Sequence, residues 1–232
     1  MKKTTVLFDL DGTLLPMDQE QFVKAYFGGL CAVMVPKGYR PDDVIKAIWS
    51  GTEAMVRNDG SSKNEARFWQ KFNELLGECD NETFDYYYQN EFDKVSASCG
   101  FTPRAKEIIE LVKSRGLTPV LATNPIFPPV ATHCRIRWAG LDESDFAFVS
   151  NYENSTFCKP NPAYYQEILD RLGLCADECV MVGNDATEDL AAKKLGIDVF
   201  ILTDCLINKH GENLCAIPHG SFDELEKFIC EL

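Results

Sequence analysis

Two carboxylates stand two positions apart at the end of an apolar stretch, in the segment VLFDLDGTLLP over residues 6–16. Asp9 and Asp11 are followed at once by Gly12 and Thr13. One interpretation is a hairpin, because Asp-Gly is a strong turn signal between two strands. The other is a reactive site at the carboxyl end of a parallel strand, where open α/β sheets bind their ligands.

Polar residues suited to a single chemistry recur after later apolar segments. Thr123 and Asn124 end VLATN, Lys159 lies in CKPNP, and Asp185 and Asp189 lie in GNDATED. Carboxylates that meet in one place repel each other unless a cation holds them, and oxygen ligands favour Mg²⁺. A lysine beside them, with a threonine hydroxyl, suits a phosphoryl group. If these segments end neighbouring parallel strands, the residues form one site.

Each of these residues also has a simpler interpretation when it is taken alone. Asn124 precedes a proline and is typical of a turn. Thr123 is an ordinary strand residue, Lys159 an ordinary solvated loop lysine, and Asp185 or Asp189 a helix cap. Their order along the chain and their shared strand-end positions favour the site.

The elements that must position these residues follow from apolar periodicity. From about residue 100, short apolar segments alternate with helical patterns of about ten residues, which indicates a parallel sheet covered by helices on both faces. We expect strands at residues 4–9, 117–124, 146–150, 178–185 and 198–202. We expect helices at residues 103–115, 130–138, 162–172, 188–195 and 222–230.

Residues 18–98 read as almost wholly helical, and their apolar positions form four helical faces. The faces are Phe22, Tyr26, Phe27 and Leu30; Val44, Ile45, Ile48 and Trp49; Phe68, Trp69, Phe72, Leu75 and Leu76; and Phe84, Tyr87, Tyr88 and Phe92. A helical block inserted directly after the first strand would lie above the carboxyl edge of the sheet as a cap. The residues after Gly12 do not alternate as a second strand, so the hairpin interpretation is disfavoured.

Composition limits the classes of function. The chain has 232 residues and a net charge of −13, which argues against nucleic acid as a partner. No segment approaches the run of about 18 apolar residues that a membrane helix needs, and the N-terminus does not resemble a signal peptide. We therefore expect a cytoplasmic protein, and we expect its ten cysteines to be reduced thiols. The sequence is silent on oligomeric state.

The ordered motifs resemble those of the haloacid dehalogenase-like hydrolases along nearly the whole chain. The family's D-x-D-G-T motif matches Asp9 to Thr13, its strand-end Ser or Thr matches Thr123, its lysine matches Lys159, and its acidic pair matches Asp185 and Asp189. The resemblance implies a Rossmann-like three-layer α/β/α core at residues 1–16 and 99–232. It also implies a helical C1-type cap domain at residues 17–98. Asn184 stands before Asp185, where many relatives have an acid directly after the glycine.

The resemblance also implies roles for the site residues. Asp9 would be the nucleophile that forms an aspartyl-phosphate, and Asp11 the acid and base. Thr123, Asn124 and Lys159 would bind the phosphoryl oxygens. Mg²⁺ would be held by Asp9, the main-chain carbonyl of Asp11 and Asp185, and the supporting residues would be Asp189, Gly12 and Thr13.

The resemblance points to a Mg²⁺-dependent phosphatase acting on a small phosphorylated metabolite. A phosphomutase of the β-phosphoglucomutase type would keep the same core residues, and a catalytically idle binding protein is a third alternative. Asp11 disfavours dehalogenation, which needs no acid for the leaving group. A phosphonatase would use a cap lysine, and Lys24, Lys46, Lys63 and Lys71 are available. Candidate substrate contacts in and near the cap are Met17, Asp18, Gln19, Arg57 and Arg67.

Overall fold

The computed structural model describes residues 2–77 and 81–232. Its centre is a five-stranded sheet in the order β2-β1-β3-β4-β5, and all four strand pairs are parallel. The strands are β1 (Thr5–Phe8), β2 (Thr118–Leu121), β3 (Cys179–Gly183), β4 (Asp198–Leu202) and β5 (His219–Gly220). Thr5 pairs with both Thr118 and Cys179, so the carboxyl ends of β2, β1 and β3 lie side by side.

Helices cover both faces of this sheet. Val6 and Phe8 of β1 pack in one buried cluster with α5 (Arg104–Ser114) and α8 (Phe222–Glu231). Leu7, on the opposite face, packs with α7 (Pro162–Leu172) and a 3₁₀ helix, Asp189–Leu195. The alternation along β1 follows from the two-residue period of a strand. The predicted Rossmann-like three-layer α/β/α core is confirmed.

The segment between β1 and α5 is helical and forms its own aromatic cluster. It contains α1 (Gln19–Met34), α2 (Pro41–Val56), α3 (Asn64–Leu76) and α4 (Asn81–Tyr86). A π-helical turn (Tyr87–Glu91) and a 3₁₀ segment (Phe92–Ser98) complete it. Helices α2 and α3 pack closely because Gly51 has no side chain: a Cβ there would lie 2.6 Å from the Phe68 ring.

Several expectations about local structure need correction. Residues 146–150 are not a full strand: one bridge, Leu121 to Val149, and three backbone hydrogen bonds to residues 119–121 join them to β2. The predicted helix at residues 188–195 is the 3₁₀ helix already described. On the predicted apolar faces, Trp49 is 51% exposed and Leu75 is 42% exposed.

The nine cysteines that the structure describes are free thiols, as expected. Cys79 lies outside the described residues. Among the described residues, no helix is both long and apolar enough to cross a membrane.

Candidate active site

One buried lysine joins two of the predicted acids at the carboxyl edge of the sheet. Lys159 is 1% exposed, and its Nζ donates to Asp9 Oδ1 at 2.8 Å and to Asp189 Oδ1 at 2.7 Å. Burial acts to lower the pKa of Lys159, but the carboxylates of Asp189 and Asp9 outweigh it and hold that pKa well above its usual value. Lys159 is therefore a permanent positive charge beside Asp9.

Asp11 is held by an arginine from the core rather than from the helical segment. The Arg135 guanidinium, on α6 (Pro129–Trp138), donates to Asp11 Oδ2 and lies 4.4 Å above the centre of the Phe127 ring. The other oxygen, Oδ1, is buried without a hydrogen-bond partner in the described part of the chain. Burial raises the pKa of Asp11, although the charges of Arg135 and Lys159 oppose the shift. A raised pKa favours a carboxyl group that carries a proton.

The turn after Asp11 is locked to the neighbouring strand by Asn184. Gly12 has a φ of +85°, and a Cβ there would lie 2.3 Å from Asn184 Nδ2, so glycine is required on both counts. Thr13 Oγ1 lies 3.0 Å from Asn184 Oδ1 and 3.4 Å from Asp9 Oδ2. Since a hydroxyl has one proton, we assign its hydrogen bond to the shorter contact, with Asn184 Oδ1 as the acceptor. Asn184 Nδ2 donates to the Cys205 carbonyl at 2.8 Å. Both ends of the Asn184 side chain are therefore engaged in the scaffold.

The loop after β3 orients the second acidic pair. Asp185 Oδ1 accepts hydrogen bonds from the backbone N–H groups of Thr187 and Glu188, at 2.7 and 2.9 Å. Asp189 Oδ2 accepts from the Asp185 backbone N–H at 2.9 Å. Gly183 permits this packing, because a Cβ there would lie 2.0 Å from Asp189 Oδ2. Asp185 thus orients the loop through one oxygen, although the N-cap of the 3₁₀ helix is Glu188, and it also faces the cavity described next.

A cavity of about 120 Å³ brings most of the predicted residues together. Its lining includes Asp9, Asp11, Thr123, Asn124, Asp185 and Asp189. Lys159, Gly12 and Thr13 lie behind the lining, in direct contact with it through Asp9 or Asn184. Thr123 is fixed through its carbonyl oxygen, which accepts from Ser150 Oγ at 2.7 Å and from the Tyr164 hydroxyl at 2.8 Å.

The predicted contacts from the cap segment divide into two groups. Met17 and Gln19 line a second cavity of about 410 Å³ that adjoins the first. Asp18 instead caps α1 by accepting from the Gln21 backbone N–H at 3.0 Å. Arg57 and Arg67, the other candidate contacts, pair on the surface with acids at 2.8 and 2.6 Å and line neither cavity, as expected of surface residues.

The cap lysines also lie away from the site. The four candidates are Lys24, Lys46, Lys63 and Lys71, and none of them lines either cavity. Lys63 pairs with Glu167 at 3.0 Å, and Lys71 pairs with Glu74 at 2.8 Å. A Schiff-base role for any of the four therefore has no support.

The donor set of the small cavity fits a magnesium ion. Five acids line this cavity, whereas the cations paired with them in the described residues are Lys159 and Arg135, so the acids outnumber the cations. No cluster of three or more His, Cys, Asp or Glu arranged for a metal occurs in the described residues. The expected ligands are only two carboxylates and a main-chain carbonyl, and Mg²⁺ keeps several waters, so no such cluster is needed.

Two residues of the site were missed by the sequence reasoning. One feature of the sequence could have indicated Arg135. It lies one helical turn after Ala131, on the same face of a helix that packs against the core, and a charge on that face needs a buried partner. Glu188 lines both cavities, and Asn124 Nδ2 donates to both of its oxygens at 3.1 Å. Burial raises the pKa of Glu188 to about 8, against the opposing charge of Lys159. Because Glu188 lies in an acidic segment with Asp185 and Asp189, it was not distinguished from a surface acid.

Comparison with known proteins agrees with this geometry. A family model described as haloacid dehalogenase-like hydrolase matches residues 3–204. A phosphoglycolate phosphatase of Yersinia pestis is 28% identical over 204 residues, which are 85% of this chain and 80% of the relative. The predictions of family, fold class and hydrolase are confirmed.

Solved structures share the fold. A HAD phosphatase from Thermococcus onnurineus matches with a TM-score of 0.60 at 20% identity, over 97% of both chains. A magnesium-bound HAD-hydrolase from Bacillus subtilis matches with a TM-score of 0.56 at 18% identity, over 99% of both chains. At these identities the likeness is one of architecture.

Proposed function

The chain belongs to the haloacid dehalogenase-like hydrolase family, and we propose that it is a Mg²⁺-dependent phosphatase acting on a small phosphorylated metabolite through an aspartyl-phosphate. The observation that carries the proposal is the pairing of Asp9 with Lys159 at 2.8 Å, beside Asp11, at the edge of one small cavity. A carboxylate nucleophile, a nearby proton donor and a buried cation are the groups that phosphoryl transfer to an aspartate needs.

Asp9 is the nucleophile in this mechanism. One carboxylate oxygen bonds to phosphorus while the bond from phosphorus to the ester oxygen breaks, and that electron pair leaves with the ester oxygen. The buried ammonium of Lys159 favours the ionised form of Asp9, because an opposite charge at hydrogen-bond distance stabilises a carboxylate.

Asp11 carries the proton in both steps. It first protonates the departing oxygen. It then takes a proton from the water that attacks the phosphorus of the aspartyl-phosphate, which releases inorganic phosphate and restores the Asp9 carboxylate. Arg135 is a positioning residue, since its guanidinium holds Asp11 through Oδ2.

Thr123, Asn124 and Lys159 bind the phosphoryl oxygens. An ammonium has three N–H donors, and Asp9 and Asp189 use two of those on Lys159. The third has no acceptor among the described residues, and in this proposal a phosphoryl oxygen takes it. Asn124 is already oriented by Glu188 and by the Lys159 backbone N–H, which donates to Asn124 Oδ1 at 3.3 Å.

Mg²⁺ would be held by the Asp9 carboxylate, the main-chain carbonyl of Asp11 and the Asp185 carboxylate, with Asp189 in support. When bound, it supplies positive charge that screens the repulsion between Asp9 and a phosphate. Asn184 is left out of this set, because its side chain is bonded to Thr13 and to the Cys205 carbonyl.

The proposed domain division is a core of residues 1–16 and 99–232 and a cap of residues 17–98. Two observations support these limits. Met17 and Cys99 form an antiparallel bridge, and the Gly100 N–H donates to the Pro16 carbonyl at 2.8 Å. The two chain segments that connect the core to the cap therefore lie side by side. Most buried residues of the aromatic cluster lie in the cap, and that cluster is separate from the clusters on β1; Ala131, Cys134, Tyr152 and Cys158 join it from the core.

The experiment is phosphate release from a panel of phosphate monoesters, with Mg²⁺ or with a chelator. We expect Mg²⁺-dependent release that falls to background in Asp9→Asn. The matched control is Asp198→Asn, an exposed aspartate at the opposite end of β4, which should keep full activity. Full activity in Asp9→Asn, or release that is unaffected by chelation, would contradict the proposal. Activation by a bisphosphorylated sugar with little free phosphate would favour a phosphomutase instead.

A further inference from the structure

The larger cavity adjoins the proposed site of phosphoryl transfer. It has a volume of about 410 Å³, and it shares Asp11, Gln19, Asn124, Ile126 and Glu188 with the small cavity. This size is typical of a small-molecule site. Because Asp11 would protonate the departing oxygen, the remainder of the substrate would extend into this second space, which we call the cap cavity.

The walls of the cap cavity are aromatic. Ten of its 22 lining residues are Phe, Tyr or Trp, and six more are Met, Val, Ile or Pro. The Tyr26 and Tyr88 hydroxyls lie 2.9 Å apart and satisfy each other. Tyr26 also meets Phe127 edge to face, with ring centres 5.5 Å apart. The walls thus offer mainly ring surfaces, and the remaining lining residues are Asp11, Gln19, Thr52, Asn124, Glu188 and Lys209.

Among the described residues that line the cavity, none is a buried cation that could receive a second anionic group. Lys209, exposed at the rim, is the one cation in its described lining, whereas Asp11 and Glu188 are acids. Arg135 is committed to Asp11 and is not part of the lining. An unpaired carboxylate in this space would be costly, because burial of a charge requires a partner.

The mouth of the cavity exposes apolar surface. Trp49 is 51% exposed and Val56 is 42% exposed, and both line the cavity from α2. Trp49 also contacts Phe27, with ring centres 5.5 Å apart. A planar apolar group in the cavity would cover this surface.

We propose that the cap cavity binds an uncharged aromatic leaving group, so that the substrate is an aryl-bearing phosphate monoester and not one with a second anionic group. This inference rests on the proposed phosphatase function. It separates the chain from its phosphoglycolate phosphatase relative, whose named substrate carries a carboxylate.

Binding tests the inference without turnover. Isothermal titration calorimetry in the presence of Mg²⁺ compares benzylphosphonate with phosphonoacetate. We expect benzylphosphonate to bind tighter by about tenfold to a hundredfold, the effect of burying one phenyl ring. Equal or tighter binding of phosphonoacetate, or no binding of benzylphosphonate, would overturn the inference.

A pair of matched variants locates the effect in the cavity. Trp49→Ala removes an exposed aromatic ring that lines the cavity, and Tyr86→Ala removes one, 52% exposed, that does not. We expect Trp49→Ala to weaken benzylphosphonate binding by about fivefold or more, a fraction of full ring burial. Tyr86→Ala should bind as the wild type does. Identical behaviour of the two variants would contradict the assignment.

Turnover separates the two proposals. Benzyl phosphate should be hydrolysed with a kcat/KM about tenfold or more above that of para-carboxybenzyl phosphate, which differs by one charged group. If neither these esters nor acetyl phosphate is hydrolysed while benzylphosphonate still binds preferentially, the phosphatase proposal fails and the cavity assignment stands. If both esters are hydrolysed equally well, the phosphatase proposal stands and the aromatic specificity fails.

Discussion

Replacing Arg135 with methionine removes the one side chain that donates a hydrogen bond to the Asp11 carboxylate in the described part of the chain. The methionine keeps most of the apolar volume near Phe127 but leaves Asp11 unrestrained. A catalytic group misplaced by about 1 Å costs on the order of a hundredfold in rate. We therefore expect kcat/KM for an alkyl phosphate, whose leaving oxygen needs protonation, to fall by about a hundredfold.

The assay compares two leaving groups. Ethyl phosphate needs an acid for its leaving oxygen, whereas para-nitrophenyl phosphate expels a stable phenolate and depends little on one. The ratio of the two kcat/KM values should fall in Arg135→Met, fall less in Arg135→Lys, which keeps the charge, and stay unchanged in Arg137→Met. Arg137 is the matched control because it lies on the same helix and is exposed, and its guanidinium donates to Cys134 Sγ at 3.1 Å and not to Asp11.

A purely structural role for Arg135 gives a different result. Breaking a buried ion pair costs about 3–5 kcal/mol, so the variant will also be less stable, and thermal denaturation must show that it is folded at the assay temperature. Loss of folded protein lowers the apparent kcat/KM for both substrates by the same factor, so the ratio of the two values stays unchanged. An unchanged ratio in a folded variant would refute the reasoning that Arg135 positions Asp11.

Three further variants test single contacts. Gly183→Ala should lower the free energy of unfolding by about 1–3 kcal/mol or more, as overpacking of a core does, because its Cβ would lie 2.0 Å from Asp189 Oδ2. In the control Gly28→Ala the new Cβ meets nothing within 4 Å, and urea denaturation should show unchanged or higher stability. Asn184→Asp, measured with a chelator present, should lose about 1–3 kcal/mol because an acceptor would then face the Cys205 carbonyl; wild-type stability would contradict that bond. Asp185→Asn should raise the Mg²⁺ concentration for half-maximal activity by about tenfold or more, and the exposed Asp204→Asn should not; equal requirements would remove Asp185 from the metal site.

The sequence predicted what local pattern and topology determine. The D-x-D-G-T segment and the alternation of short strands with helices placed Asp9, Asp11, Thr123 and Asp185 at one edge, and parallel register brought them together. Apolar periodicity likewise located the helices of the inserted segment. The individual strands and helices follow from residues near one another in the chain, and the shared edge follows from the parallel topology.

Contacts that depend on the rotation of one element against another were not predictable in this way. Arg135 meets Asp11 across 124 positions, and only the packing of α6 turns that arginine inward. Arg57 and Arg67 could not be separated from substrate-binding arginines until their pairing with nearby acids was known. Asn184, a departure from the family pattern, became intelligible only through its partners Thr13 and Cys205.

The most direct test of the account is to locate the phosphorylated residue. Borohydride reduction of the enzyme quenched during turnover converts an aspartyl-phosphate to homoserine, and peptide mass spectrometry identifies its position. We predict homoserine at Asp9, none at Asp11, and none anywhere in Asp9→Asn. Homoserine at another aspartate, or phosphate release with no reduced residue, would contradict the assignment of Asp9 as the nucleophile.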